Sequence, residues 1–590
     1  MNGLENNGRR ERVSNEQSRD FDVAIVGLGP TGLTLAHFLG RRGLKVLALE
    51  REPEFYGNAR AVYTDDECMR IFQEAGVAAE LEADMVLDSP VQWILEDGSV
   101  LGQLRRFDRP YGWTMNNFLY QPHFETKLEK LLSRYPDVHV MRGRELIAFE
   151  QDDQWVTFQH GASKGVQYGR SAATADATDV TTSRARWLVA CDGGRSGVRS
   201  QLGIKIVGKS FPEPWLVVDI KARNGADCFH HLPYFNFHCD PKRPTVSCPQ
   251  PGGHHRFEFL VNSGETREQM EDPAMVRALV SRHVDPDKVE VLRRLVYTFN
   301  ALVAERWRVG RVLLAGDAAH MTPQFMGQGM SSGVRDAHNL AWKLDAVLRG
   351  RAALSLIDSY EAERKPHAKE MIDISVRMKE FVSQANPVKA ALRNALVALL
   401  LKMPKLGDYI REARWKPPPT YPNGVYFGLS RTRRNAAEGR PIPQPQVRTS
   451  AGRRALLDDV LGDNFALVGY EVDPRATLDA NTIARLELLN TKFVVLYPYG
   501  GRPQGGEVSP SAPAGLIEIE DLSGEARAWF RKVGARPGHV ALVRPDKFVY
   551  AMRPAASIAE AVTHALRSLG NGSTPERVEN RSRHEPDLAA

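Results

Sequence analysis

Cysteine and long apolar runs are both scarce in this sequence. Five cysteines occur among 590 residues, at positions 68, 191, 228, 239 and 248, and none forms a C-x-x-C pair. So small and odd a number does not suit a disulfide framework and fits reduced thiols in a cytoplasm. The most apolar run, ALVALLL at 395–401, is too short to cross a bilayer, and the polar N-terminus lacks a signal-peptide core. We therefore expect a cytoplasmic protein without a membrane partner.

Charge of one sign is not concentrated anywhere along the chain. The 78 basic and 72 acidic residues give a net charge of +6, and Lys and Arg are scattered without a long basic run. This pattern does not favour a nucleic-acid partner. At 590 residues the chain is too long for one ordinary core, so we expect two to four domains.

A dinucleotide-binding pattern lies near the N-terminus. In FDVAIVGLGPTGLTLAHFLGRRGLKVLALER (21–51), the triplet Gly27, Gly29 and Gly32 follows an apolar strand and opens a helix. These glycines permit a tight turn, a close approach to a pyrophosphate and close helix packing, while the helix N-terminus attracts the phosphates. Glu50 ends the second strand and suits an unphosphorylated ribose, as in FAD or NAD; Arg51 keeps NADP open.

Two later segments favour FAD over NAD. Asp192-Gly193 in ACDGGRSGVR and Gly316-Asp317 in VLLAGDAAH each follow a strand. An Asp beside glycine at a strand end can accept hydrogen bonds from a polyol, which FAD has in its ribityl chain and NAD lacks. The following GQGM (327–330) opens a helix that we expect to start near Ser331, whose dipole favours the negative edge of a reduced flavin. Pro323 is suited to lie against a ring face.

Between 211 and 300 the sequence turns to short aromatic and β-branched runs, which predict a mostly antiparallel sheet inserted into the α/β domain. The aromatic row Tyr234, Phe235 and Phe237 and the strand from Arg256 to Leu260 are candidates for the lining of the substrate cavity, with Arg256 as a partner for a substrate carboxylate. The alternatives are a plain core for the aromatic residues and a buried ion pair for Arg256. His320 is a weak catalytic candidate; the alternative is that it fixes the loop by hydrogen bonding. The adjacent histidines at 230–231 and 254–255 point to opposite faces of a strand, so we expect no metal site.

Together, GLGPTG, DGGRSGVR and GDAAHMTPQFMGQGMSSGVRDAHNLAWKL resemble the single-component FAD-dependent aromatic hydroxylases, the p-hydroxybenzoate hydroxylase group. Within it the sequence is most similar to the 3-(3-hydroxyphenyl)propionate hydroxylases. The resemblance implies hydroxylation of a phenolic substrate, of the hydroxyphenylpropionate type or larger, with NADH or NADPH and O2 through a flavin C4a-hydroperoxide. Alternatives are an FAD-dependent tailoring oxidase, epoxidase or halogenase, and a regulatory interaction protein.

The resemblance also implies a domain organisation. A Rossmann-type α/β FAD-binding domain with a helical extension would span 21–203 and 301–415, and a substrate-binding sheet domain 204–300. A linker (416–449) and a thioredoxin-like α/β domain (450–570) would follow, with disordered ends at 1–20 and 571–590. Because no cysteine lies beyond Cys248, the last domain cannot perform dithiol redox chemistry. We expect a structural role for it or contacts in an oligomer, such as a homodimer.

Site residues follow from the motifs and the resemblance together. The predicted cofactor set is Gly27, Gly29, Pro30, Thr31, Gly32, Glu50, Arg51, Arg60, Gln121, Asp192, Gly193, Gly316, Asp317, Pro323, Gly327, Gly329 and Met330. The predicted substrate set is Tyr234, Phe237, Arg256, Gln324 and Phe325. Met330-Ser331 and Gln324-Phe325-Met326 depart from the family pattern, so we expect these positions to influence which substrate is used.

Overall fold

The computed structural model describes residues 20–55, 60–163, 179–211, 213–225, 227–429, 436–503 and 515–570. The predicted arm, apart from Asp20, and the predicted tail (571–590) lie outside these residues. Among the helices of the described ranges, none combines the length and the apolar character needed to cross a membrane.

Helices and strands alternate along most of the chain. The first half contains β1 (Asp20–Val26), α1 (Pro30–Arg41), β2 (Val46–Glu50), β3 (Tyr63–Thr64), α2 (Asp66–Glu74), α3 (Ala78–Glu82), β4 (Met85–Val86), β5 (Val91–Ile94), β6 (Val100–Leu104), β7 (Asn117–Leu119), α4 (Gln121–Leu131), β8 (Val138–Arg142), β9 (Arg144–Gln151), β10 (Val156–Ala162), β11 (Val180–Ala190), α5 (Gly197–Gln201), β12 (Ile206–Ser210), β13 (Trp215–Ala222), β14 (Phe235–His238), β15 (Thr245–Gln250), β16 (His254–Leu260), α6 (Arg267–Met270), α7 (Pro273–Val280) and β17 (Val289–Tyr297). The second half contains β18 (Asn300–Ala304), β19 (Arg308–Val309), β20 (Val312–Leu314), β21 (His320–Met321), α8 (Gln328–Leu348), α9 (Ser355–Val382), α10 (Pro387–Lys402), α11 (Pro404–Arg411), β22 (Gln446–Thr449), β23 (Arg454–Leu456), α12 (Leu457–Leu461), β24 (Ala466–Tyr470), α13 (Ala480–Leu488), β25 (Lys492–Pro498), β26 (Leu516–Asp521), α14 (Glu525–Lys532), β27 (His539–Val543), β28 (Val549–Pro554) and α15 (Ile558–Gly570).

The first sheet brings the predicted cofactor motifs together. Its order is β19-β20-β11-β1-β2-β8, with β10 paired antiparallel to β11 and β9 paired antiparallel to β10, and β1 runs parallel to both β2 and β11. Near its carboxyl edge, the Gly27 amide donates to Leu49, the Cys191 amide to Val26 and the Ala315 amide to Ala190. Because parallel strands end at the same edge, the loops after β1, β11 and β20 lie side by side. Ligands of open α/β sheets bind at such an edge.

The second sheet is largely antiparallel, in the order β17-β13-β16-β15-β14-β5-β6, with only the β14–β5 pair parallel. One face packs against α6 and α7 through a core that includes Leu216, Phe257 and Phe259. β5 and β6 (91–104) had been predicted to belong to the FAD-binding segment. The sequence did not reveal their place because a short strand pattern does not identify the strand with which it pairs.

A small sheet, β12-β18-β21, joins the first two units. β12 leads into the second sheet and β18 leads out of it, and the two pair antiparallel from Ile206–Ala304 to Ser210–Asn300. β18 also pairs with β21, through Leu302–Met321 and Val303–His320. The loop that follows Asp317 is therefore attached to the base of the second sheet.

The third sheet forms the C-terminal domain, in the order β23-β22-β26-β25-β24-β27-β28. It begins at Gln446, four residues before the predicted boundary at 450. The preceding segment, predicted as a linker, is in part packed against this domain: Tyr421 and Ile442 are buried, and the Tyr421 ring stacks on Phe548 with centroids 4.1 Å apart. The prolines of this segment suggested a linker, but its aromatic side chains pack it against the C-terminal domain.

Candidate active site

The glycine-rich turn after β1 has the shape that the sequence predicts. Gly27 has a φ of 97°, and a Cβ there would lie 2.5 Å from the Cys191 carbonyl oxygen. A Cβ at Gly32 would lie 2.0 Å from the Gly27 carbonyl oxygen. Pro30 opens α1, where its fixed φ suits a first helical turn. Close packing of α1 thus requires glycine at Gly32, and the positive φ and the nearby Cys191 backbone require it at Gly27.

Glu50 is held at the end of β2 beside this turn. Its Oε2 accepts a hydrogen bond from the Leu28 amide at 2.8 Å and its Oε1 one from the Glu52 amide at 3.0 Å. Each oxygen keeps capacity for a further hydrogen bond, as a ribose would require. Arg51 lies near Glu52, 3.7 Å from its Oε1, with a side chain that is 40% exposed.

Gln121 fixes the backbone at the predicted Arg60 position. Its Oε1 accepts from the amides of Arg60 and Ala61, both at 2.5 Å. The Arg60 carbonyl in turn accepts from Nη1 of Arg256 at 2.8 Å. Both Gln121 and Arg60 line the central cavity.

Asp192 and Asp317 lie at the ends of neighbouring strands. Oδ2 of Asp192 accepts from the Val198 amide at 3.2 Å, whereas its Oδ1 is buried and has no hydrogen-bond partner among the described residues. Burial raises the pKa of Asp192. Asp317 lines the cavity. An unpartnered buried carboxylate oxygen is costly unless a ligand supplies a donor, and a ribityl or ribose hydroxyl is such a donor.

The loop from His320 to Met330 forms one wall of the cavity. Gly327, with a φ of 60°, precedes α8, which begins at Gln328 and not near Ser331 as predicted. The helix starts earlier because glycine accepts the left-handed conformation at this N-cap. The amides of the first turn of α8 are therefore available at Gly329 and Met330, both of which line the cavity.

The cavity has a volume of about 360 Å³ and lies between this loop and the second sheet. The predicted cofactor residues in its lining are Gly29, Pro30, Thr31, Arg60, Gln121, Gly193, Asp317, Gly327, Gly329 and Met330. The predicted cofactor residues outside the lining are Gly27, Gly32, Asp192, Gly316 and Pro323, which lie next to lining residues in the chain, and Glu50 and Arg51 at the end of β2. A Cβ at Gly29 would meet no described atom within 4 Å. This open space beside the α1 N-terminus, together with Oδ1 of Asp192, fits the phosphates and polyol of FAD.

Four of the five predicted substrate residues line the cavity: Phe237, Arg256, Gln324 and Phe325. Tyr234 does not; it precedes β14 and is 37% exposed. Phe235, from the same predicted aromatic row, does line the cavity, on the same face as Phe237 because side chains two apart on a strand share a face. Its ring stacks on Phe118 with centroids 5.3 Å apart.

A row of alternating charges crosses the cavity face of the second sheet. Arg293 on β17 and Arg256 on β16 lie directly opposite Asp219 on β13. Nε of Arg256 lies 2.6 Å from Oδ1 of Asp219, and Nη2 of Arg293 lies 2.7 Å from Oδ2. Arg256 therefore forms the buried ion pair that was the alternative to binding a substrate carboxylate.

Asp219 and Arg293 are site residues that the sequence did not single out, whereas Glu258 lies in the strand Arg256 to Leu260 that it indicated. Glu258 lies two residues beyond Arg256, and both line the cavity. The alternation in RFEFL gives this signal, since it puts Arg256 and Glu258 on one face and Phe257 and Phe259 on the other. The partners on β13 and β17 require knowledge of strand register, which a single sequence does not give.

His320 lies behind the loop rather than in the cavity lining. It is buried, its Nε2 lies 2.7 Å from Oδ2 of Asp336, and its ring stacks on Trp307 at 5.1 Å. Oδ2 of Asp336 also accepts from the Gly316 amide. Burial works to raise the pKa of Asp336, but His320 and Arg364 hold that pKa below its usual value. This geometry matches the alternative in which His320 fixes the loop.

Metal-ligating side chains do not cluster in the part of the chain that the structure describes: no group of three or more His, Cys, Asp or Glu residues there is arranged to hold an ion. The ring nitrogen Nε2 of His231 contacts the His283 carbonyl, and Nδ1 of His254 contacts the Pro251 carbonyl.

Two family models match the chain. The model described as an FAD binding domain matches residues 20–375, and the model described as the HcaD C-terminal domain matches residues 439–568. The 3-(3-hydroxy-phenyl)propionate/3-hydroxycinnamic acid hydroxylase of Burkholderia cenocepacia (strain HI2424) is 38% identical over 551 residues, 92% of this chain and 96% of that protein. The protein of that name in Klebsiella pneumoniae (strain 342) is 36% identical over 94% of this chain and 96% of its own length.

Solved structures agree on the fold. The flavin-dependent monooxygenase PieE, in complex with FAD and substrate, superposes with a TM-score of 0.73 at 21% identity, covering 93% of this chain and 99% of that chain. Aklavinone-11 hydroxylase, in a ternary complex with FAD and aklavinone, has a TM-score of 0.72 at 24% identity, with coverage of 93% and 99%. The chain belongs to the FAD-binding domain family and, over nearly its whole length, to the FAD-dependent aromatic hydroxylases. It is an FAD-dependent monooxygenase of aromatic substrates.

Proposed function

We propose that this chain hydroxylates a single-ring phenol with an acidic side chain, of the hydroxyphenylpropionate type, with NADH or NADPH and O2 as co-substrates. The main observation that supports this proposal is a single cavity, with the predicted FAD loops on one side and the Arg293–Asp219–Arg256 row on the other. The cavity lining as a whole has four cationic side chains (Arg60, Arg256, Arg293 and Lys416) against two carboxylates (Glu258 and Asp317), so it favours an anionic substrate. The relatives are named 3-(3-hydroxy-phenyl)propionate/3-hydroxycinnamic acid hydroxylases, and these names agree with an anionic phenolic substrate.

The size of the cavity supports a small substrate. Its volume of about 360 Å³ must accommodate a flavin ring system in addition to the aromatic substrate. Ligand pockets of about 300–1,000 Å³ are usual for small molecules, so this cavity is at the small end of that range. A one-ring substrate fits this space better than a polycyclic one.

Each side of the cavity has a separate task. Bound FAD would supply the redox chemistry that activates oxygen. Glu50, Asp192 and Asp317 would hold its ribose and ribityl groups, and the first turn of α8 would donate amides toward negative charge on the ring. The apolar wall that includes Phe235 and Phe237 would exclude water and orient the substrate ring.

Domain assignment follows from the sheets. We propose that the second sheet, with 91–104 added to 204–300, is the substrate domain, because its inner face lines the cavity. For the C-terminal domain we propose a thioredoxin-like arrangement without dithiol chemistry. The five cysteines lie outside it and are all free thiols, which supports a cytoplasmic location. Use of O2 and a homodimeric state stay predictions from the resemblance, to be measured with an oxygen electrode and by sedimentation.

The test is a coupled assay of the purified holoenzyme. Protein with bound FAD is mixed with NADH or NADPH and 3-hydroxyphenylpropionate, and cofactor oxidation, O2 uptake and the product are followed together. We expect a dihydroxy product in proportion to the cofactor oxidised. 3-Phenylpropionate and 3-propylphenol, which lack the hydroxyl and the carboxylate respectively, serve as matched controls. Equal turnover of 3-propylphenol would contradict the anionic substrate class, and absence of a hydroxylated product from every phenol would contradict the proposed reaction.

A further inference from the structure

Glu258 is a buried carboxyl group in an apolar frame on the cavity face. On the neighbouring strands, Val217 and Val246 lie directly opposite it. Its side chain is 6% exposed, yet it lines the cavity. A carboxyl group among apolar side chains is costly to ionise, so a carboxyl group of this kind in a cavity lining is a candidate for a functional role.

Gln324 connects Glu258 to the loop at the predicted flavin ring. The Gln324 side-chain amide donates a hydrogen bond to Oε2 of Glu258, and Gln324 follows Pro323 in the wall that leads to Gly327 and α8. The carboxyl group therefore lies between the second sheet and the loop that holds the predicted cofactor residues Gly327, Gly329 and Met330. The sequence singled out Gln324 because it departs from the family pattern. The hydrogen bond gives this residue a specific role, which is to hold Glu258.

The cationic group of the charge row that pairs with Glu258 is the guanidinium of Arg256, at a distance too long for a hydrogen bond. Arg256 and Arg293 form their short ion pairs with the two oxygens of Asp219. Nη1 of Arg256 lies 3.9 Å from Oε1 of Glu258. Burial raises the pKa of Glu258 to about 7; Arg256 opposes this rise, Asp219 adds to it and Arg293 opposes it. Cys248 on β15 lies directly opposite Arg256.

Other titratable groups in the cavity lining are already occupied. The Tyr63 hydroxyl donates to the Met115 carbonyl, the Tyr297 hydroxyl accepts from Arg293, and Lys416 Nζ lies 2.7 Å from Oδ2 of Asp65. Among the described lining residues the carboxylates are Glu258 and Asp317, and Asp317 belongs to the cofactor loop. Glu258 is therefore the carboxylate available to a substrate.

We propose that Glu258 is a catalytic residue that accepts the proton of the substrate's phenolic hydroxyl. In this step the phenol O–H bond breaks, an O–H bond forms on Glu258, and the electron pair stays on the phenol oxygen, so no electron is transferred. The resulting phenolate is a more electron-rich ring for oxygen transfer. The proton leaves Glu258 for solvent before the next turnover. This inference rests on the proposed phenol hydroxylation.

A phenol with a pKa of about 10 is almost entirely protonated near neutral pH, so a base with a pKa near 7 is well matched to this task. The base acts only when it is ionised, so kcat should rise with pH through the ionisation of Glu258. A group that served only to shape the cavity would not impose this dependence.

The experiment compares wild-type holoenzyme with Glu258→Gln and Glu258→Asp. Product formation from 3-hydroxyphenylpropionate and its ring-fluorinated analogues, whose hydroxyls are more acidic, is measured across pH. We expect Glu258→Gln to lower kcat by about 10²–10⁴-fold, to lose the ionisation near pH 7 and to recover most of its rate with the most acidic phenol. Glu258→Asp should restore part of the rate and the ionisation. Glu290→Gln, an exposed change on the same sheet, should leave rate and pH profile unaltered.

Several results would overturn the proposal. An unchanged pH profile in Glu258→Gln, or an equal loss of rate for every phenol, would assign Glu258 a structural role. Should Glu258→Gln fail to fold or retain FAD, the wild-type profile decides: kcat without an ionisation near pH 7, or with no dependence on phenol acidity, contradicts the proposal. Failure of the proposed function is seen separately, as absence of any hydroxylated product from the wild-type enzyme.

Discussion

Arg544 in the C-terminal domain donates two hydrogen bonds to the carboxylate of Glu363 on α9, with Nη1 at 2.7 Å from Oε1 and Nη2 at 2.9 Å from Oε2. Both side chains are at most 1% exposed. Lys343 on α8 joins them, its Nζ 2.8 Å from Oε2 of Glu363. Because α8 begins in the cavity wall and α9 packs along it, this buried pair connects the last domain to the scaffold of the site.

Replacing Arg544 by Ala should destabilise the protein by about 3–5 kcal/mol, since it leaves the carboxylate of Glu363 buried without its bidentate partner. The free energy of unfolding is measured by urea denaturation with FAD bound. Arg531→Ala, an exposed change on α14, is the control and should alter it by less than about 0.5 kcal/mol. Equal effects of the two changes would mean that the buried pair adds little to stability.

The same carboxylate predicts a pH dependence of stability. Burial works to raise the pKa of Glu363, but Arg544 and Lys343 lower it to about 2. A depressed folded-state pKa contributes stability that is fully present above the unfolded value of about 4.3 and is lost as pH falls toward about 2. Glu363→Gln should therefore flatten the loss of stability over this window, measured as the urea midpoint at successive pH values. A wild-type and variant profile of the same slope would contradict this assignment.

Gly32→Ala should abolish FAD binding. A Cβ at this position would lie 2.0 Å from the Gly27 carbonyl oxygen, so α1 must move away from the turn that approaches the pyrophosphate. Flavin absorbance per protein of the purified variant is the measurement. Gly197→Ala, where a Cβ meets no described atom within 4 Å and φ is not positive, is the matched control and should retain FAD. Retention of FAD by Gly32→Ala would show that the turn tolerates this displacement.

Local patterns in the sequence predicted the backbone geometry of the loops on the expected cofactor side. Gly27, Gly32 and Asp192 lie where motif spacing predicted, because a βα turn is a short-range feature. The substrate side depends on pairing between strands distant in the chain. The Arg293–Asp219–Arg256 row can be predicted only if the register of β13 with β16 and β17 is known. Likewise, residues 91–104 join the second sheet through the parallel pairing of β5 with β14. A strand's own pattern shows which residues share a face but not which strand lies beside it, so Arg256 was found without its partner.

Asp317→Ala tests the predicted hydrogen bond between the Asp317 carboxylate and the ribityl chain of FAD. A carboxylate that accepts a hydrogen bond from a ribityl hydroxyl is worth about 1.5–3 kcal/mol, which corresponds to a weakening of FAD binding by about tenfold to a hundredfold. The Kd is measured by titrating the apoprotein with FAD and following flavin fluorescence. Asp287→Ala, whose side chain is 78% exposed, should leave the Kd unaltered. Because Asp317 follows β20 at the carboxyl edge of the first sheet while Glu258 lies across the cavity, Glu258→Gln should also leave the Kd of FAD unaltered. An Asp317→Ala protein that binds FAD as tightly as wild type would remove Asp317 from the cofactor site and leave its ribityl contact to Asp192.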